Sequence, residues 1–188
     1  VFRAFFYFPC VIAPIAVAII WRWIYNPNIG FINQFFKVLG INFKQTWISD
    51  PKVSLYAIFA AALWQGIGQP MILFLAGLQG IPKDQYEAAS VDGANKWNQF
   101  LFITLPGLKG TIKYVVMITM IQAMKLFTQP YIMTQGGPKN STKTLVYYIY
   151  TQGFQKGNFG YACSIATVFF VIVVAMSLLM KKVTTATD

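Results

Sequence analysis

The chain has 188 residues, 56% hydrophobic and only 11% charged, less than half the charged share of a soluble domain, so its composition argues against a water-soluble globule. Fifteen Lys+Arg against five Asp+Glu give a net charge of +10, with no histidine and two cysteines. Ser-His-Asp chemistry, His-ligated metal sites and a disulfide framework are thereby excluded, and paired-carboxylate chemistry has few residues to work with.

In chain order, the first element is an uncharged run from Ala4 to Trp21, followed by Arg22, Trp23 and Tyr25. About 20 mostly apolar residues in a helix cross a hydrocarbon core, so the pattern predicts a span over 4–25. Pro9 and Pro14 are kink sites, and Trp21, Arg22, Trp23 and Tyr25 read as an interfacial belt. The connection 26–52 carries the turn signals Asn26-Pro27 and Asn28-Ile29-Gly30.

A second span is predicted over 53–80. Near its middle, Trp64-Gln65-Gly66-Ile67-Gly68-Gln69-Pro70 weakens the helix and frees backbone groups. Breaks near the midplane are where transporters place solute sites. Trp64 suits stacking on a sugar ring, and the Gln65 and Gln69 amides suit bonding hydroxyls. The same residues also serve tight helix packing and interhelical bonds, and both readings stand at this stage.

Residues 81–106 differ from the other connections. Pro82 suits a first helical position, and Asp84 and Glu87 fall where a helix dipole favours negative charge. Gly93 suits a left-handed helix end, and Asn95 suits the cap of a second helix running toward Pro106. Tyr86, Ala89, Ser90 and Gly93 share one face, and small Ala88 and Ala89 let another protein approach closely. The loop is either a docking element or a plain interfacial link.

A third span over 107–128 is apolar in its centre, with Lys109, Lys113 and Lys125 near its ends. Gln122, Lys125 and Gln129 form a second solute-path candidate, because polar groups in membrane helices are costly and often functional. Lys125 equally suits snorkelling to the interface. After the connection 128–156, with its Gly136-Gly137-Pro138 turn signal, a fourth span over 157–180 stops at Lys181-Lys182. Cys10 and Cys163 fall inside spans as small apolar fillers. The chain opens at Val1, without an initiator Met, directly on an apolar helix. It is therefore expected to be the C-terminal part of a longer membrane protein.

Charge alone does not orient these spans. Arg3, Lys83, Lys96, Lys109, Lys113, Lys181 and Lys182 lie on one side, seven against eight on the other. Lys181-Lys182 is the only adjacent basic pair, and the rest are scattered singly. That is loop charge on both sides of a membrane, not the clustered stripe of a nucleic-acid site.

Glu87-Ala88-Ala89, then Gly93, then Ile103-Thr104-Leu105-Pro106 matches without a gap the "EAA" motif. It resembles the membrane subunits of binding-protein-dependent ABC importers. Asp92-Gly93-Ala94 and Ile103 to Pro106 are similar to the carbohydrate branch, the maltose and glycerol-phosphate type. The likeness extends over the whole chain. Trp21-Arg22-Trp23 with Asn26-Pro27, Phe74 to Gln79, and Thr134 to Pro138 followed by Ser141-Thr142 resemble sugar permeases at the same relative places. Gln69-Pro70 departs from the aromatic-plus-polar pair expected there.

The resemblance implies an all-α integral membrane protein of the MetI-like ABC permease fold. Four of the usual six or more transmembrane helices would form a single permease domain over 1–188. It implies a bacterial or archaeal cytoplasmic membrane, several passes, and contact with lipid. The implied partners are an ABC ATPase dimer, a second permease subunit (the same or homologous), and an extracytoplasmic solute-binding protein. Glu87, Ala88, Ala89, Asp92 and Gly93 would couple to the ATPase, and 81–106 would face the cytoplasm. ATP and Mg would bind the ATPase, with no cofactor and no catalytic residue on this chain. No P-loop pattern occurs in it. A non-sugar solute, such as glycerol phosphate or an amino acid, is the alternative. A phosphate would call for Arg or Lys along the path, where only Lys125 qualifies. An intramembrane enzyme would need a nucleophile with its base, or paired acids, at membrane depth, and all the acids here fall in loops or at the terminus. An ATP-independent channel would leave the EAA loop without a purpose.

Overall fold

Proline placement decides where the first helices stop. In this computed structural model, which describes residues 2–41 and 44–185 (the last three by backbone alone), helix α1 runs Phe2–Val11 and α2 runs Pro14–Ile24. The two are bent by 101°. Pro14 has no N–H to continue the ladder, and it holds Ala13 extended at ψ 132°. The stretch 4–25, expected as one span, is thus two helices meeting at Ile12-Ala13.

After α2 the chain turns back on itself. The Asn26 side chain accepts from the N–H groups of Asn28 (2.9 Å) and Ile29 (3.2 Å). A Cβ on Gly30 would collide with the Asn26 and Ile24 carbonyls, so the turn tolerates only glycine there. It delivers a short helix, α3 (Phe31–Val38).

Helices α4 (Ser54–Gly66) and α5 (Gly68–Gln79) are bent by 43° at Ile67. Pro70 cannot donate to Gly66, which loosens this turn. Gly68 has a second role. A Cβ there would sit 3.0 Å from Tyr7 Cα and 3.1 Å from the Phe6 carbonyl, so its bare backbone lets α1 cross α5 closely.

Helix α6 (Lys83–Val91) is followed by α7 (Lys96–Gln99), a π turn over Phe100–Thr104, and α8 (Leu105–Gly107). The π turn lies just before Pro106. Its closing bond runs from Leu105 N–H to the Phe100 carbonyl, a widened turn that accommodates the missing proline donor. A bend of 64° at Leu108 leads into α9 (Lys109–Met124). A π turn over Pro130–Thr134, helix α10 (Leu145–Tyr150), a third π turn over Thr151–Gln155 and the long α11 (Phe159–Thr185) complete the described chain. Among the described residues there is no strand.

The elements pack in a connected series. Helix α1 contacts α4 and α5, α2 contacts α4 and the 130–134 turn, α5 contacts α9, and α9 contacts α11. The core is small: Ala18, Tyr25, Ala57, Ile58, Ala61 and Met133. Three of those six are alanines, which bring α2 and α4 close. The Tyr25 hydroxyl donates to the Ala57 carbonyl at 2.9 Å. Of the four residues read as an interfacial belt, only Arg22 and Trp23 are exposed. Trp21 packs against this core and Tyr25 belongs to it. Trp21 and Tyr25 stand one helical turn apart and so share the inward face, which leaves Arg22 and Trp23 as the exposed pair.

Among the described residues, helix α11 alone is long and apolar enough to cross a membrane, over Phe159–Lys182, and its most apolar stretch is not buried. The α1–α2, α4–α5 and α7-to-α9 pairs meet the same length and composition test only when each bent pair is counted together.

Candidate functional site

The loop between α5 and α9 is built from ordinary capping chemistry. Helix α6 ends in a Schellman arrangement. Gly93 N–H donates to the Ser90 carbonyl (3.2 Å) and Ala94 N–H to the Ala89 carbonyl (2.8 Å). Gly93 has φ +77°, the left-handed conformation that costs a residue with a Cβ about 1–2 kcal/mol. Asn95 then caps α7, its side chain accepting from Asn98 N–H at 2.8 Å.

Side-chain bonds tie the two helices together. Tyr86 hydroxyl and Thr104 Oγ1 lie 2.8 Å apart. Gln99 Nε2 donates to Ser90 Oγ (2.9 Å) and to the Ala94 carbonyl (3.2 Å). Ser90 Oγ in turn donates to the Tyr86 carbonyl at 2.7 Å. Gln99 is buried, whereas α6 has no buried residue. Glu87, Ala88, Asp92 and Gly93 are exposed and Ala89 is half-buried. The structure therefore places the five residues at or just beyond α6, on a helix clamped from behind by Tyr86, Ser90, Gln99 and Thr104. Gln99 and Thr104 were not singled out from sequence. Thr104 lies within the Ile-Thr-Leu-Pro motif, but its reach back to Tyr86 depends on the fold.

The polar residues of the helix interiors fall into two pairs. Gln65 Nε2 donates to the Ile12 carbonyl at 3.1 Å, and Gln129 Nε2 donates to Gln65 Oε1 at 3.0 Å. Ile12 lies at the α1–α2 break, Gln65 precedes the α4–α5 break, and Gln129 leads into the π turn after α9. Three irregular backbone sites thus meet at one half-buried glutamine, which uses both ends of its amide. Beyond the break, Gln122 Nε2 donates to Gln69 Oε1 at 3.0 Å, and both residues are exposed. The two pairs differ in consequence: Gln65 is occupied by protein, whereas Gln69 and Gln122 retain donors and lone pairs for another group.

Trp64 is 40% exposed and meets Trp21 edge-to-face, ring centroids 5.7 Å apart. Lys125 closes α9 as an exposed C-terminal residue, where the helix dipole favours a cation.

The Thr134-to-Thr142 segment is a structural turn. Thr134 and Thr142 hydroxyls lie 2.7 Å apart, and Thr142 Oγ1 donates to the Gly137 carbonyl at 2.8 Å. Ser141 Oγ meets the buried Ser54 Oγ at 2.9 Å, which fastens the turn to the start of α4. Beside it Phe127, Tyr131, Tyr147 and Tyr150 form a ring cluster with centroids 5.2–6.2 Å apart. The hydrogen bond and negative field of Tyr131 push the Tyr150 phenol above its ordinary value.

Residues 1–185 match the family described as "Binding-protein-dependent transport system inner membrane component". The chain belongs to this family. Among its relatives is a probable ABC transporter permease of Pyrococcus horikoshii, 36% identical over 94% of this chain and 61% of the relative. Another is the multiple sugar-binding transport system permease protein of Streptococcus mutans, 35% identical over 96% of this chain and 62% of the relative. This permease chain thus spans about three fifths of the length of those relatives. Its fold matches a chain in the crystal structure of a bacterial alginate ABC transporter in complex with an alginate pentasaccharide-bound periplasmic protein. That match has TM-score 0.87 and 22% identity, and covers 95% of this permease and 62% of that chain. A second bacterial ABC transporter structure, involved in import of the acidic polysaccharide alginate, matches with TM-score 0.86 and 21% identity.

Proposed function

We propose that this permease forms part of the translocation path of an ATP-driven sugar importer and is coupled to its ATPase subunits through α6. The observation that carries the reading is α6 itself: a polar helix with no buried residue, clamped to the α7–α8 run that bends into α9. A partner groove can receive Glu87, Ala88 and Ala89 without rearranging the core. The two alanines permit close seating, and Glu87 offers a carboxylate to a basic or amide group. The Schellman end at Gly93 keeps helix and turn a single lever.

In this reading the α1–α2 pair, the α4–α5 pair, α9 and α11 each make one span, with α6 to α8 left on the cytoplasmic face, so that the chain crosses a bacterial or archaeal cytoplasmic membrane four times. The ATPase dimer binds ATP and Mg, a second permease subunit completes the path, and an extracytoplasmic binding protein delivers solute. Gln69 and Gln122, with the partly exposed Trp64, offer neutral amides and an aromatic surface. That chemistry suits hydroxyls and favours a sugar over a phosphate. Lys125 serves as a helix-end cation, and Gln65 as a structural link.

The test uses the full-length subunit with its associated chains in proteoliposomes. Binding protein loaded from a panel of sugars is expected to stimulate ATP hydrolysis for at least one sugar. No stimulation by any sugar, with stimulation by glycerol phosphate or an amino acid, rejects the substrate class. Gly93→Pro and Glu87→Lys are expected to leave insertion intact and abolish solute uptake. Wild-type uptake in both removes α6 from the coupling.

A further inference from the structure

We infer that α3 is an interfacial helix, lying against the bilayer surface on the side where α2 ends and held there by an apolar stripe flanked by lysines. The inference rests on the membrane reading of this permease and concerns a segment with no assigned part in it.

The stripe follows from helical spacing. Phe31, Phe35, Val38 and Leu39 stand at i, i+4, i+7 and i+8, one face of a helix. All four are more than half exposed, Val38 at 85%. Phe31 and Phe35 stack with centroids 6.2 Å apart, which makes the face continuous. Ile29, also exposed, extends it back toward α2. The opposite face carries Ile32, Asn33 and Phe36, which are buried or half-buried. Gln34 and Lys37 lie on a third, polar flank, and with Lys44 they line one cleft.

Helix α3 is not a loose segment waiting for a partner to fold it. Eight residues do not sustain a helix alone, but Asn33 supplies the missing support. Its Nδ2 donates to the Pro27 carbonyl (3.2 Å) and the Gln45 carbonyl (2.9 Å), and its Oδ1 accepts from Trp47 Nε1 at 3.0 Å. The stripe is therefore presented outward by a fixed frame.

Two features select lipid as the occupant. The first is continuity: the exposed face of α2 (Ile19, Ile20 and Trp23) belongs to the apolar surface of an inner-membrane component, and the Asn26–Gly30 turn sets α3 immediately beyond it. The second is charge: Lys37 and Lys44 beside the stripe match anionic headgroups, the pattern of an in-plane amphipathic helix. Four side chains are also far fewer than the roughly 20–30 residues a side of a stable protein interface.

Single cysteines at 31, 34, 35, 37 and 38, in a Cys10→Ser, Cys163→Ser background of the full-length complex, would be spin-labelled in nanodiscs of neutral and anionic phospholipid. The ratio of oxygen to nickel-chelate accessibility is expected to be several-fold higher at 31, 35 and 38 than at 34 and 37. Equal ratios, or labels at 35 and 38 shielded from both quenchers as under another protein, overturn the inference. Val171→Cys on α11 is the control: a lipid signal there with none at 35 and 38 rejects only the interfacial helix. Its absence at 171 rejects the membrane reading itself. Removing the anionic lipid is expected to make position 38 shallower, and an unchanged depth overturns the part given to Lys37 and Lys44.

Discussion

Two residues carry distinguishable kinds of cost. A Cβ on Gly93 meets nothing within 4 Å, so substitution there is felt through the backbone alone. Gly93→Ala is expected to cost about 1–2 kcal/mol and Gly93→Asn less, because asparagine tolerates the left-handed region. Thermal unfolding of the purified full-length subunit would show this order. Gln65 is the opposite case, since its cost lies in its partners. Gln65→Leu strands the Ile12 carbonyl and the Gln129 amide, each worth about 1–3 kcal/mol when buried without a partner. Gln69→Leu removes an exposed pair instead. It is expected to leave stability near wild type while raising the KM for solute uptake. A stability loss equal to that of Gln65→Leu would assign Gln69 a structural role as well.

At the level of elements, neighbouring glycines separate in the same way. Gly66 has open space where its Cβ would be, whereas Gly68 faces the backbone of α1 at 3.0–3.1 Å. Gly66→Ala is expected to be neutral or stabilising by about 0.4–1 kcal/mol. Gly68→Val is expected to cost about 1–3 kcal/mol through overpacking. Denaturation midpoints of the two variants would test the contrast. Sequence alone shows both glycines as helix weakeners and cannot tell them apart. What it does reveal is local: the proline stops at Pro14 and Pro70, the left-handed end at Gly93, and the Asn95 cap. Each depends on the residue and its near neighbours. The reach of Gln65 to Ile12 and Gln129, the inward turn of Trp21 and Tyr25, and the frame around Asn33 join residues 6 to 64 apart. The sharpness of the α1–α2 bend was also hidden: a proline marks a kink, but the angle is set by what packs on either side.

The molecule as a whole exposes 12543 Å², against about 9,100 Å² for a compact soluble monomer of this size. Large apolar side chains stand exposed along helices such as α1 and α11, which makes the surface itself evidence for a nonaqueous environment. Exchanges between apolar residues on that helix are expected to be silent. Val171→Arg, near its centre, is expected to disfavour membrane insertion by about 2.5–3.5 kcal/mol. A glycosylation-tag insertion assay on the full-length subunit would read it, and unimpaired insertion would argue against α11 lying in lipid.

The Gln129–Gln65–Ile12 chain has a direction, with each amide giving a proton toward the α1–α2 break. A change at one position therefore alters what the next can be. Replacing Gln65 by glutamate keeps an acceptor for Gln129 but leaves the Ile12 carbonyl without its donor. Replacing it by an apolar residue makes Gln129 a liability. Across divergent family members, positions 65 and 129 should accordingly drift as a linked pair, gained or lost together, while 69 and 122 follow a separate history set by whatever each transporter carries.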